Sequence, residues 1–291
     1  MLTPNCLLPK LFWLKLFPKT RPYIFILACA SSLAASLVAP CSNAHAEGIS
    51  LSAGSDYSSG KYGGTQTTEV WYFPVVAKYI HNDWTMQLTA PYLSITGPNN
   101  ILGTPGQTIV LPPNTFPNAP STFSIPATRR TESGLGDVIV GATWNALYNP
   151  SAIYGLDLTS KIKFATADET RGLGTGKNDY SLQADMFKGF TQASVFGGLG
   201  YRVMGKPTNI KLNNVWFGSV GSAYRFSART SAGVAWDMRQ ASSASGAASR
   251  ELSAFISYKL LPKSKIQLYT LKGWADGSPD FGGGVNYSHG F

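Results

Sequence analysis

Through the middle of the chain, apolar and polar side chains alternate with period two. Leu156, Leu158, Ile162 and Phe164 alternate with Asp157, Thr159, Lys161 and Lys163, so a strand built from them turns an apolar face one way and an ionic face the other. The neighbouring stretches repeat the pattern: Val138, Val140, Ala142 and Trp144 against Asp137, Gly141, Thr143 and Asn145, and Tyr180, Leu182, Ala184 and Met186 against Asp179, Ser181, Gln183 and Asp185. Wholly apolar faces over roughly ten residues match the length of a tilted membrane-spanning strand. The pattern calls for a different solvent on each side.

Read with Gly, Pro and Asn/Asp clusters as punctuation, the rest of the chain extends the series. Twelve strands are predicted, at about 49–58, 67–80, 84–96, 134–147, 154–167, 178–189, 192–205, 215–226, 230–241, 250–261, 264–275 and 280–291. Connections after strands two, four, six, eight and ten are tight, as at His81-Asn82-Asp83 and Leu261-Pro262-Lys263, whereas 97–133, 168–177, 206–214 and 241–250 are long and polar. Short turns at one end and long loops at the other are the asymmetry of bacterial outer-membrane barrels. The fold class predicted is therefore all-β: a twelve-stranded antiparallel transmembrane β-barrel with short periplasmic turns and longer extracellular loops.

Parity assigns the two faces. Residues expected toward lipid include Trp71, Phe73, Val75 and Tyr79, then Trp84, Met86, Leu88 and Tyr92, with Trp216, Val220 and Tyr224 further on. Mapped onto an up-and-down order, the outward aromatics form two girdles, one through Tyr79, Trp84, Trp144, Tyr224, Tyr258 and Phe291, the other through Trp71, Tyr92, Phe164, Tyr180, Tyr201, Trp216 and Trp274. Aromatic rings gather at both membrane interfaces in this way. Lys272 breaks the rule by sharing parity with Ile266, Leu268 and Trp274; either it snorkels at the outer rim or a bulge shifts the register.

The opposite parity gives the candidate lumen lining: Asp137, Asp157, Lys161, Lys163, Asp179, Gln183, Asp185, Arg202, Arg225, Asp237, Arg239, Glu251 and Lys259, with the rings of Phe187, Phe196, Phe217 and Phe255. Tyr72 and Lys78 share that side. Both signs of charge occur in comparable number, which favours salt-bridge networks over a ring of one sign. Two uses are open: the charges brace a filled lumen, or cations meet a polar group while inward rings receive an apolar body.

Composition narrows the picture. Residues 1–46 read as a signal peptide, with Lys10, Lys15, Lys19 and Arg21 ahead of the apolar run Tyr23–Val38 and a small-residue site at Ala44-His45-Ala46. The alternatives are a retained anchor, which the serines within that run disfavour, and a lipoprotein at Cys41, which Pro40 disfavours. This leader carries four of the 24 basic residues and none of the 15 acidic ones, so its removal lowers the formal charge from +9 to +5. Nucleic-acid binding loses its compositional support. Cys6, Cys29 and Cys41 all fall in the leader, so residues 47–291 have no thiol for disulfides, cysteine zinc sites or thiol catalysis. No apolar segment after residue 46 is long enough for a membrane helix, which leaves strands as the only spanning element.

His81 and His289 are the two histidines outside the leader, and neither is expected beside a Ser or Asp at the outer rim, so an enzyme is not predicted. No metal and no cofactor is expected; the glycines of Gly172-Leu173-Gly174-Thr175-Gly176 lack a following helix to form a phosphate site. The proline-rich stretch 97–133, which also holds Ile109, Val110, Leu111, Phe116 and Phe123, either folds over the mouth of the barrel or remains a surface loop.

Two motifs in this region carry a resemblance. Ser133-Gly134-Leu135-Gly136-Asp137, followed by the lysine-containing strand ending at Phe164 and then by Gly172-Leu173-Gly174-Thr175-Gly176-Lys177-Asn178-Asp179-Tyr180, resembles the outer-membrane proteins of the MetA pathway of phenol degradation. The resemblance implies an outer-membrane barrel of a Gram-negative bacterium that imports hydrophobic or aromatic compounds, akin to long-chain fatty-acid transporters. The terminal strand ending in Phe291 resembles the signal read by the barrel insertion machinery, although His289 stands where a large aromatic is usual. Expected partners are thus outer-membrane lipid and lipopolysaccharide, that machinery, and a small apolar or aromatic solute, with no nucleic acid. The function expected is passive uptake of small hydrophobic or aromatic compounds; the alternative is a structural or adhesive surface barrel with a closed lumen.

Overall fold

The structure is a computed structural model that describes residues 47–98, 101–104, 107–110 and 129–291, except 209 and 245. The expected signal peptide and most of the proline-rich segment lie outside the described residues. No helix among the described residues is long and apolar enough to cross a membrane.

The chain climbs and descends in β1 (Gly48–Gly60), β2 (Thr68–His81) and β3 (Trp84–Gly97). A small hairpin of β4 (Ile101–Thr104) and β5 (Gln107–Val110) follows. The wall resumes with β6 (Arg130–Leu135), β7 (Ile139–Asn149), β8 (Tyr154–Lys163), β9 (Asp179–Gly189) and β10 (Ala193–Val203). It finishes with β11 (Val215–Arg225), β12 (Thr230–Arg239), β13 (Ser249–Leu261), β14 (Ser264–Gly273) and β15 (Phe281–Gly290). Wall neighbours are antiparallel, and β15 returns to β1 from Ser50 opposite Gly290 to Ser59 opposite Phe281. The sheet is thereby closed, with no free edge for another chain to extend.

β6 and β7 lie end to end on β3, β6 beside Tyr92–Gly97 and β7 beside Trp84–Thr89. They form one stave, so the barrel has twelve. The expected strand 134–147 is corrected: this stave starts at Arg130 and is interrupted at residues 136–138. Opposite the gap stands Pro91, which has no N–H to continue the ladder; its carbonyl accepts from Gly136 N at 2.9 Å, and the backbone turns Asp137 inward. The ends expected near 167, 205, 241 and 275 retreat to Lys163, Val203, Arg239 and Gly273.

Outward parity follows the expected pattern. Trp71, Phe73, Val75, Tyr79, Trp216, Val220 and Tyr224 are all exposed, and Leu182 reaches 64% exposure, as suits a face meant for acyl chains. Rings of the girdles pair across strands: Trp84 stacks on Trp144, with centroids 6.2 Å apart, and Tyr201 lies 4.9 Å from Trp216. β14 keeps a regular register with β15 through Lys272 opposite Phe281, and the shift on its other side, between Lys259 and Leu261 of β13, lies at the short-turn end, so Lys272 is outward at the long-loop end without a bulge beside it. A shift does occur between Asn145 and Leu147, against β8. Beyond it Leu147 is exposed and Tyr148 packs beside Phe187 inside, an inward ring that simple alternation would misplace.

Candidate functional site

The interior begins, at the long-loop end, with a buried ion cluster built by three strands. Lys163, last in β8, lies opposite Asp179, first in β9, and beside Ile139 of β7. Its Nζ is 2.9 Å from Asp137 Oδ2, 3.0 Å from Asp179 Oδ2 and 3.1 Å from Thr175 Oγ1. All three charged side chains are 5% exposed or less. Asp137 Oδ1 also accepts from the amides of Thr166 and Ala167, and Asp179 Oδ1 from Gly205 N at 2.8 Å. Charges removed from water are tolerated when each is paired and its remaining oxygens are hydrogen-bonded.

The glycine-rich loop is folded onto this cluster. A 3₁₀ turn, Glu169–Arg171, is capped by Asp168, whose carboxylate accepts from Thr170 N at 2.9 Å and Thr170 Oγ1 at 2.6 Å. The Thr170 hydroxyl holds the Asp168 carboxyl below its ordinary pKa. A Cβ on Gly174 would stand 2.9 Å from Asp137 Oδ1. Gly176 has φ +63°, and a Cβ there would overlap the Glu169 carboxylate, so only glycine fits both positions. Leu173, just before Gly174, is buried with Tyr62, Leu93 and Ile95. The family-like motif residues therefore shape and anchor a loop over the outer mouth. β4 joins it: Gly103 N donates to Gly172 O at 2.8 Å, and Leu102 is buried against Met204 and Leu212. This described part of the proline-rich stretch is thus packed against the loops of the long-loop end.

Below the cluster, charge of both signs continues around the wall. Arg202 lies with its guanidinium 5.5 Å from the Phe217 ring and interacts with Asp179; Arg239 interacts with Glu251. Asp237 is directly opposite Glu251. Asp157 and Asp185 face each other across β8 and β9, accepting from Asn145 Nδ2 at 2.9 Å and from Gln183 Nε2 at 2.7 Å. Lys161 interacts with Asp185. Asp56, which parity reading did not single out, accepts from Tyr269 OH at 2.7 Å.

An aromatic cluster follows: Phe187, Phe196 and Phe255 are buried with Ala223 and Ala235, and Tyr148 and Tyr269 pack against them. Each phenylalanine ring covers a glycine on an adjacent strand. A Cβ on Gly155 would come within 2.5 Å of Phe187, on Gly221 within 2.5 Å of Phe196, and on Gly233 within 2.6 Å of Phe255; Phe217 covers Gly200 in the same way. The rings thus lie along the wall rather than across the bore.

Ala223 also borders a chamber of about 320 Å³ at the short-turn end. Its lining includes Lys78, Arg225, Arg229, Lys259, Lys263 and Lys265, and no aspartate or glutamate. Lys259 and Lys265 are directly opposite one another across β13 and β14. Charges that are balanced over the whole interior are therefore segregated along it: mixed on the outer side of the rings, cationic on the inner side. The signal for this was present in the sequence, because Lys78, Arg225, Lys259 and Lys265 all fall within four residues of a short turn.

No curated protein matches this chain. Among solved structures, the COG4313 outer membrane channel from Pseudomonas putida F1 is similar at TM-score 0.59 and 14% identity, covering 84% of this chain and 96% of that one. The beta domain of the Bordetella autotransporter BrkA follows at TM-score 0.50 and 11% identity, covering 85% and 100%. The CymD monoaromatic hydrocarbon channel gives TM-score 0.45 and 13% identity over 84% and 89%. The likeness to the first two establishes the outer-membrane barrel fold. Residues 47–291 match throughout the family described as "Putative MetA-pathway of phenol degradation", and the chain belongs to that family.

Proposed function

We propose that residues 47–291 form a passive outer-membrane channel of a Gram-negative bacterium for small hydrophobic or aromatic solutes, delivered after residues 1–46 are removed as a signal peptide. The observation that carries this reading is the aromatic cluster at Phe187, Phe196 and Phe255 bordering the chamber at Ala223. Flattened rings offer apolar contact to a solute body, and the polar chamber beyond gives it a wet exit. Family membership and the barrel fold support the same reading.

A catalytic role finds little support. His81 pairs with Glu47 at 2.8 Å and His289 contacts Ser264 at 2.8 Å, both at the short-turn end. The alternative, a surface barrel with a closed lumen, draws on the inward fold of β4 and the glycine loop. Liposome swelling with purified protein separates the two. The channel predicts swelling in small aromatic or sugar solutes, and absence of flux for every small solute overturns it. The β15 strand that closes on β1 is proposed as the segment recognised during insertion, with Tyr287 and Phe291 outward.

A further inference from the structure

The outer wall carries few charges, and two of them stand together. Arg250 and Lys272 have outward parity at the long-loop end of β13 and β14. Leu252 is opposite Lys272, and Trp274 N donates to Arg250 O at 2.9 Å, so the two cations are diagonal neighbours on one face, within reach of a single anion. Both are exposed, and neither makes an ion pair among the described residues. Outward Glu69, by contrast, is paired with Arg129 at 2.9 Å, and outward Lys188 at the other end donates to the Ala152 carbonyl.

An indole shelf accompanies the pair. Trp236 of β12 and Trp274, which directly follows β14, stack with centroids 5.5 Å apart. Beneath this level β12, β13 and β14 present Val234, Ile256 and Leu268 to the lipid. An amphiphile matching this face has an anionic head at the rim, a broad polar body to lie on the indoles and acyl chains running down the wall. Desolvated cations at a membrane interface bind phosphate strongly, Arg through a fork and Lys as a point charge.

We infer that Arg250 and Lys272 form a docking site for a phosphate of the outer-leaflet glycolipid, lipid A. The inference rests on the orientation adopted above, with the long loops outside. It commits to the glycolipid because that leaflet is where the two cations emerge.

Native mass spectrometry of the full-length folded barrel tests it with three probes: diphosphorylated lipid A, the same lipid A stripped of phosphate, and phosphatidylglycerol. Wild type is expected to bind the diphosphorylated form best. Arg250→Gln/Lys272→Gln is expected to lose about tenfold or more of that affinity, while Lys188→Gln keeps it. Retained affinity in the double variant overturns the proposal. So does equal binding of dephosphorylated lipid A or phosphatidylglycerol by wild type, a comparison that needs no variant to fold. Solute flux through the double variant is expected to equal wild type, so failure of the lipid site and failure of the channel reading are distinguishable.

Discussion

At the outer end of the lumen Lys163 is held by two carboxylates and a hydroxyl beneath a folded loop, whereas at the inner end six cations line a chamber with no carboxylate among them. The outer arrangement satisfies its own charges and gains order. The inner one gathers a single sign of charge around one chamber, which gives that end a positive field. Between them lie rings pressed onto glycines. The difference shows that inward charge on a barrel wall has no single meaning: mixed signs close into a buried cluster, and a single sign sets the field of a chamber.

Breaking the outer end should cost most. Lys163→Met strands two buried carboxylates, and loss of one partner from a buried cluster costs about 3–5 kcal/mol. A lowered unfolding transition in heat-modifiable gel mobility checks this, and the glycine loop should become cleavable by added protease. Wild-type stability in Lys163→Met would show that the cluster does not anchor the loop.

The middle should respond less. Gly221→Ala drives a Cβ against Phe196, and overpacking of this kind costs about 1–3 kcal/mol. The ring is expected to swing into the bore, lowering single-channel conductance. A stable variant with wild-type conductance would mean that the rings do not define the passage.

The inner end should answer in selectivity more than in stability. Lys259 and Lys265 are like charges set directly opposite, an arrangement that is itself unfavourable, so Lys265→Glu should not destabilise the barrel. Reversal potentials in a salt gradient should move toward cations, and the shift should shrink as ionic strength rises. An unmoved reversal potential would remove the chamber from the conduction path.

The smallest effect is expected at the rim. Arg171 Nε and Glu132 Oε2 are 2.9 Å apart in a partly exposed pair, and such pairs contribute about 1 kcal/mol or less. Glu132→Gln should therefore leave the unfolding transition nearly unmoved, in contrast to Lys163→Met.

How much of this was legible from residues alone follows from what alternation encodes. Trp71, Phe73 and Val75 revealed their side because lipid and lumen demand opposite chemistry at every second position. The inward parity of Asp137, Lys163 and Asp179 was legible too, but not their meeting, since that depends on registers across β7, β8 and β9 and on the returning glycine loop. Pro91 cannot donate to a ladder, yet the predicted strand 84–96 runs through it, and only the structure shows that the gap falls on the partner side at residues 136–138. The bulge beside Asn145 left no compositional trace. Charge segregation was recoverable in principle by the height mapping that located the girdles, but parity alone pools every inward charge.

The glycine seats under Phe187, Phe196, Phe217 and Phe255 bear on how such a tube acquires its calibre. Stave number fixes the circumference of the backbone, but the free diameter also depends on what stands upon it. A ring lying flat consumes little more than its own thickness, and a ring standing up consumes its length. Each seat couples one strand's glycine to its neighbour's ring, so exchanging the pair tunes the aperture without adding or removing a strand. Barrels of identical strand count could on this basis sieve quite different molecules.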